Sequence, residues 1–129
     1  MPDERRVDLC NYRMKNSEDS LTVAEDCLKK GLYRDAINRS FYAIKALLAL
    51  EEVDFKKHKD VVAYFNRTYA ATEKIPREIG RKLARLQQKR EKSDYDDFYI
   101  ASKEETTEQI ENTKSVILAV KDYLSRMEN

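Results

Sequence analysis

Apolar positions recur at steps of three and four through the first thirty residues, a pattern that predicts a long amphipathic helix. Its apolar face consists of Val7, Cys10, Met14, Ser17, Leu21, Ala24 and Leu28. An α-helix turns once in about 3.6 residues, so side chains at this spacing share one face. Gly31 follows, and because glycine adopts a positive φ without steric strain, we expect the helix to end there.

A second apolar segment runs from about residue 34 to residue 51 and predicts a helix at the centre of the fold. One side comprises Ile37, Phe41, Ile44 and Leu48, and another comprises Ala36, Ala43, Leu47 and Leu50. Only Asn38 and Lys45 mark a polar edge. A helix that is apolar on most sides is normally surrounded by other helices.

Arg39 lies inside this apolar segment and is expected to project toward its small residues. We therefore predict that its guanidinium is at least partly buried, and a buried guanidinium needs a carboxylate partner. Asp94 is the partner that we expect, which makes Arg39 half of a structural ion pair. The alternative is an active-site arginine at a dimer cleft. Tyr42 follows on the same helix and is expected to lie mostly in the core.

Two more helices are predicted after a loop at residues 52–60. The inner face of the third helix is formed by Val61, Val62, Phe65 and Tyr69. Pro76 suits the first turn of a fourth helix, where a missing N–H group costs nothing. The apolar stripe of that helix is formed by Ile79, Leu83 and Leu86.

A fifth helix is predicted after the polar stretch 91–102, which breaks the helical pattern. Ser102 and Glu105 have the spacing of a capping box, in which each side chain bonds a backbone N–H group of the other residue. The inner face of the helix is expected at Ile110, Thr113, Ile117, Val120, Leu124 and Met127.

Composition supports an all-α fold, a compact bundle of about five helices. Charged residues make up 38% of the chain, and glycine and proline contribute only two residues each. Many charges and few helix breakers are typical of long helices with solvated outer faces. A length of 129 residues suits one domain, so we predict a single domain over residues 1–129.

Several classes of protein are disfavoured by the same composition. Lysine and arginine number 25 against 24 aspartate and glutamate, so the net charge does not indicate a nucleic-acid-binding protein. No apolar run is long enough for a membrane span, and the first thirty residues lack the core of a signal peptide. Cys10 and Cys27 lack zinc-site spacing. We therefore expect a soluble cytoplasmic protein with reduced cysteines and without metal, cofactor or membrane partner.

Charge is distributed unevenly despite the neutral total. Residues 74–92 hold eight lysines and arginines against two glutamates, whereas residues 93–111 hold seven acidic residues and one lysine. The fourth helix should place a basic stripe on its solvent side, formed by Lys74, Arg77, Arg81, Arg85 and Lys92. The stripe is either a solvated face partly neutralised by the acidic turn, or a surface that binds an acidic partner or a phosphate-bearing ligand.

Three segments together resemble the HEPN domain (higher eukaryotes and prokaryotes nucleotide-binding). These segments are 31-GLYRDAINRSFYAIKALLAL-50, 57-KHKDVVAYF-65 and 90-REKSDYDD-97. The resemblance covers nearly the whole chain and marks Arg39, Tyr42, His58, Arg90, Asp94 and Tyr95 as candidate motif residues. It implies a helical bundle that commonly forms a homodimer and is often paired with a minimal nucleotidyltransferase in a toxin–antitoxin-like system.

Many HEPN proteins are metal-independent ribonucleases, but this chain departs from their motif. That motif is an arginine, a polar residue and a histidine after four to six intervening positions. Arg39 is followed at those positions by Ile44, Lys45 and Ala46, and no arginine stands at the required distance before His58. Histidine moves protons near neutral pH, and a lysine at a polar edge is a poor substitute. We therefore expect no HEPN-type ribonuclease activity.

Two other motif residues have both a structural and a functional interpretation. His58 opens the third helix, so it either bonds a backbone group at the helix start or contacts a nucleotide. A tyrosine of the HEPN partner can accept nucleotidyl groups in some of these systems, which makes Tyr95 a candidate acceptor.

Three functions follow from these observations. The first is a non-catalytic HEPN protein that binds a nucleotidyltransferase as a dimer and also binds nucleotide or RNA. The second is a divergent ribonuclease toxin that uses Arg39, Lys45 or His58. The third is a helical interaction domain without nucleotide chemistry.

Overall fold

The computed structural model describes residues 4–48, 63, 65–95 and 100–128. Within these ranges the chain forms α1 (Glu4–Lys29), α2 (Tyr33–Leu48), a π-helix (Asn66–Ala70), α3 (Arg77–Tyr95) and α4 (Lys103–Glu128). The prediction of an all-α bundle of about five helices is confirmed. No helix among the described residues has both the length and the apolar character that crossing a bilayer requires.

Helix α2 lies at the centre of this arrangement, as predicted, because it contacts α1, α3 and α4. One apolar cluster joins α2, the π-helix, α3 and α4 through residues that include Ile44, Tyr69, Leu83 and Val116. A smaller cluster joins α1, α2 and α4 through Ala24, Ala36 and Ile110. Burial of these side chains is the main stabilising contribution that the packing makes.

The predicted inner faces of α1 and α4 are confirmed where the structure describes their side chains. On α1, Ser17 and Ala24 are buried, whereas Met14, Leu21 and Leu28 are partly buried against the core. On α4, the four buried positions from the predicted set are Ile110, Thr113, Ile117 and Val120. The side chains of Val7, Cys10 and Met127 lie outside the described residues.

The connection between α1 and α2 ends α1 as the sequence indicated. Gly31 has a φ of 77°, which a residue with a side chain rarely adopts. The N–H of Leu32 donates to the carbonyl of Cys27, and the N–H of Gly31 donates to the carbonyl of Leu28. These bonds satisfy carbonyl groups that the end of the helix leaves without intrahelical donors.

The π-helix packs unusually close to α3. Phe65 and Tyr69 are buried, as predicted, while Val61 and Val62 lie outside the described residues. The N–H of Ala71 donates to the carbonyl of Asn66 over 2.7 Å, the wider turn that defines a π-helix. Gly80 permits the close approach, because a Cβ atom there would lie 2.9 Å from the Cβ of Ala70.

Helix α3 extends further than the sequence indicated. It begins at Arg77, directly after Pro76, and the buried Ile79, Leu83 and Leu86 match the predicted stripe. The polar residues 91–95 were expected to break the helix, but α3 continues to Tyr95. That prediction was wrong because a polar segment can form the exposed end of a helix without contributing to the core.

Helix α4 begins with the predicted cap. The N–H of Glu105 donates to the hydroxyl oxygen of Ser102 over 3.0 Å, and Thr106 donates to the Ser102 carbonyl through both its N–H and its hydroxyl group. An N-cap of this kind satisfies a backbone donor that the first turn leaves unpaired.

Candidate functional site

Arg39 and Tyr42 both lie on the solvent side of α2, which corrects two predictions. Arg39 is exposed rather than partly buried, and Tyr42 retains 44% of its exposure rather than lying in the core. The buried side chains of α2 are Ala36, Ile37, Ser40, Phe41, Ala43 and Ile44. At about 100° per residue these positions cover one continuous arc, and Arg39 and Tyr42 project from the other side of the helix.

The exposure of Arg39 removes the reason for expecting an ion pair between Arg39 and Asp94. An exposed guanidinium keeps its hydration and does not require a carboxylate, so the physical reason for the pair no longer applies. Among the described side chains, none of the carboxylates forms an ion pair with Arg39. Asp94 lies on the last turn of α3, but its side chain falls outside the described residues, as do the side chains of Tyr95 and Lys45 and the whole of His58.

Two arginines converge on the exposed tyrosine ring. The Cζ atom of Arg39 lies 5.8 Å from the centre of the Tyr42 ring, and the Cζ atom of Arg90 on α3 lies 5.9 Å from the same centre. Cations within about 6 Å of an aromatic ring are attracted by its electron-rich face. The group of Arg39, Phe41, Tyr42 and Arg90 is called the Tyr42 site below.

Arg90 is the anchored member of the Tyr42 site. Its Cζ atom lies 5.2 Å from the ring centre of Phe41, which is 2% exposed, and its Nε atom is buried. The guanidinium of Arg90 therefore bridges a core ring and a surface ring. Arg39 is exposed, and among the described aromatic rings its guanidinium lies only over that of Tyr42.

Asn38 adds a hydrogen-bond acceptor one helical turn before Tyr42. Its Oδ1 atom is buried and accepts no hydrogen bond from the described residues. A buried acceptor without a donor costs free energy, commonly about 1–3 kcal/mol, and a ligand would reach this atom only after the neighbouring side chains move. The sequence marks Asn38 only as part of a polar edge, because spacing alone does not reveal whether a side chain has a partner.

The Tyr42 site is suited to bind an anion that carries a planar aromatic group. Guanidinium groups bind phosphates through two parallel hydrogen bonds, and an exposed aromatic ring stacks on a nucleobase. Among the described residues, no group of three or more histidine, cysteine or acidic side chains could hold a metal ion. The site therefore offers positive charge and a stacking surface.

The fourth predicted helix is α3 of the structure. Its basic stripe lies on the side of α3 opposite Arg90. Its members Lys74, Arg77, Arg81, Arg85 and Lys92 are all exposed, and we call this set the basic ridge. Arg85 pairs with Glu108 of α4 at 3.0 Å, and Arg77 pairs with Glu73 at 3.6 Å. Of these partners, Glu108 belongs to the acidic segment 93–111, whereas the side chains of residues 93–99 lie outside the described residues, so neutralisation by them stays a prediction.

Comparisons with known proteins agree with the sequence resemblance. The family model described as HEPN domain matches residues 10–123. A protein of Thermotoga maritima named "UPF0332 protein" is 27% identical over 120 residues, which cover 90% of this chain and 91% of that protein.

Two proteins of Methanocaldococcus jannaschii are also similar. "Putative toxin MJ0605" is 34% identical over 83 residues, covering 61% of this chain and 62% of that protein. "Putative toxin MJ0142" is 27% identical over 115 residues, covering 86% of this chain and 78% of that protein.

Proposed function

The chain belongs to the HEPN domain family, and on this premise we propose that it is a non-catalytic member of a two-component system of the toxin–antitoxin type. In this proposal the protein is a homodimer whose partner is a minimal nucleotidyltransferase. It binds a nucleotide or a short RNA segment at the Tyr42 site. The toxin-named relatives support the type of system, and the family resemblance supports the dimer and the partner.

One observation carries the ligand proposal, namely the two guanidinium groups on the exposed ring of Tyr42. Exposed aromatic rings are often tolerated singly on protein surfaces, but two guanidinium groups lie beside this one, and that of Arg39 is exposed. A phosphate group can accept hydrogen bonds from Arg39, and a base attached to the phosphate stacks on the ring.

The non-catalytic character is proposed from the sequence. The positions at which the ribonuclease motif requires a histidine after Arg39 hold Ile44, Lys45 and Ala46. Binding without cleavage needs no proton carrier, whereas hydrolysis of this kind depends on one near neutral pH.

Calorimetric titration with ATP and with a short single-stranded RNA tests the binding proposal. We expect saturable heat from the wild-type protein and at least a tenfold weaker affinity for Arg39→Gln and Tyr42→Leu, since about 1.4 kcal/mol corresponds to tenfold. Arg67→Gln is the matched control, because it removes the same charge from another exposed arginine. The ligand proposal fails if ATP and RNA give no heat at millimolar concentration, or if the Arg67 variant loses as much affinity.

Two further measurements test the remaining parts. Purification of the tagged protein from its own host, with determination of the solution mass, should yield a nucleotidyltransferase bound to a dimer. Incubation with RNA should leave the RNA intact. Cleavage that disappears in Arg39→Ala would overturn the non-catalytic assignment and favour the ribonuclease alternative.

A further inference from the structure

The basic ridge of α3 is a second charged surface, separate from the Tyr42 site. Arg81 precedes Arg90 by nine residues, which at about 100° per residue places the two side chains on opposite sides of the helix. From Arg77 to Lys92 the ridge extends over about 22 Å, at about 1.5 Å per residue. A ligand of the ridge is therefore distinct from a ligand of the Tyr42 site.

Three of the five cations on the ridge have no counter-ion among the described side chains. The two ridge members that form ion pairs are Arg77 and Arg85, whereas Lys74, Arg81 and Lys92 form none with a described carboxylate. The pair of Arg77 with Glu73 spans 3.6 Å between two exposed side chains, so it contributes little. The ridge thus keeps most of its positive charge available to an anionic partner.

The side chains of the ridge fit a nucleic acid better than a protein surface. The described large apolar residues that are exposed are Tyr12, Val23, Leu32, Tyr42, Ile100 and Leu118, and none of them lies on α3. Protein interfaces depend on buried aromatic or apolar anchors near their centre, whereas protein–nucleic-acid interfaces are polar and strongly positive. The residues between the cations on the exposed arc include Ala84 and Gln88, which provide no apolar anchor.

Helix α3 has the shape that a B-DNA major groove accepts. It contacts α2, α4 and the π-helix, and its outer arc, with Arg81, Ala84, Arg85 and Gln88, remains exposed. The major groove of B-DNA is about 12 Å wide and admits an α-helix, whereas the major groove of A-form RNA is too deep and narrow for side chains to read. Arginine and glutamine are also the side chains that bond guanine and adenine edges in that groove.

We propose that the basic ridge binds double-stranded DNA, with α3 in the major groove and its lysines and arginines on the phosphates. The acidic residues of α3, Glu78 and Glu91, remain charged beside the ridge, because Glu78 forms only an exposed pair with Lys82 at 3.8 Å and Glu91 accepts a hydrogen bond from the neutral Gln87. The five cations of the ridge outnumber these two carboxylates. Arg85 exchanges its Glu108 partner for a phosphate, which makes the binding strongly salt-dependent.

The test uses a fluorescent DNA duplex of about 20 base pairs, which is about two turns. Anisotropy is measured at about 50 and 200 mM salt, because phosphate contacts lose affinity steeply over this range. The ridge variant combines Lys74→Gln, Arg81→Gln and Lys92→Gln, which break no described ion pair. The control variant combines Lys15→Gln, Lys29→Gln and Lys103→Gln, three exposed lysines that also form no described ion pair. Circular dichroism confirms that both variants are folded.

We expect the ridge variant to bind DNA at least tenfold more weakly than the control variant at low salt. The slope of log affinity against log salt should fall by about three, one for each lost phosphate contact. Equal losses in both variants, or no binding by the wild-type protein, would overturn the proposal. An RNA duplex of the same sequence that binds more tightly than DNA would overturn the groove assignment, and tighter binding of polyglutamate would indicate a protein partner instead.

Discussion

The two ends of α3 pack against the rest of the bundle by different physical means. Near its start, Gly80 brings the helix backbone so close to the π-helix that a single added carbon atom has no room. Near its end, Arg90 keeps α3 beside α2 through a guanidinium that lies against the rings of Phe41 and Tyr42. The first contact leaves no space for a ligand, whereas the second presents charge and an aromatic ring at the surface.

This difference separates the part of α3 that fixes the fold from the part that a ligand can reach. Steric contact is short-ranged and intolerant of added volume. A cation above a ring tolerates small displacements and remains attractive to anions. Four substitutions test the comparison.

Gly80→Ala should cause the largest loss. The new Cβ would lie 2.6 Å from Oδ1 of Asn66 and 2.9 Å from the Cβ of Ala70. Asn66 has a side chain that can move, but Ala70 does not, so we expect a destabilisation of about 1–3 kcal/mol in urea unfolding, reduced by the helix propensity of alanine. Adding Ala70→Gly should recover part of the loss. A variant as stable as the wild type would show that the close approach is unimportant.

Gln109→Met should increase stability, because it removes a buried amide group that is stabilised neither by close backbone packing, as at Gly80, nor by a cation–π contact, as at Arg90. Gln109 is fully buried on α4, and neither atom of its side-chain amide has a hydrogen-bond partner in the part of the chain that the structure describes. Removing the buried amide while keeping a similar volume should raise the free energy of unfolding by about 1–2 kcal/mol. Gln88→Met, at an exposed position of α3, is the control. A decrease for Gln109→Met would indicate that the amide group has a role in the folded protein.

Arg90→Met should lower the free energy of unfolding by about 1 kcal/mol, because it removes the cation from the Phe41 and Tyr42 rings while keeping an apolar side chain. Nucleotide affinity should fall as well. Arg90→Lys keeps the charge and should lose less of both. If Arg90→Met binds nucleotide as the wild type does, Arg90 is only a packing residue.

Arg39→Ala should have the smallest effect on stability, below about 0.5 kcal/mol, because exposed side chains without a tight partner rarely contribute more. Its effect on nucleotide binding should still be large. A loss of several kcal/mol in thermal or chemical unfolding would restore the buried ion pair that the sequence suggested.

The sequence predicted the helices and most of the core because these depend on periodicity. Ala24, Phe65, Leu83 and Ile117 each stand at positions where the apolar spacing points inward, and all four are buried. Such a pattern is local and needs no knowledge of neighbouring helices.

The error at Arg39 shows where local reasoning ends. Arg39 was expected to be buried because it lies one helical turn before Ala43, and Ala43 is indeed buried, but Arg39 itself is exposed. The direction of Arg39 depends instead on which helices surround α2. The contact between Arg90 and Phe41 joins residues 49 positions apart and has no signature in either segment.

The π-helix implies a particular sensitivity of this chain to changes in length. A turn closed by the bond from Ala71 to Asn66 contains one residue more than a regular α-helical turn. Deleting one residue between Phe65 and Tyr69 would convert the segment to ordinary helix and leave the two residues three rather than four positions apart, about 60° around the helix axis. The two aromatic rings, whose centres are now 5.4 Å apart, would then meet at a different offset and would have to repack against the core.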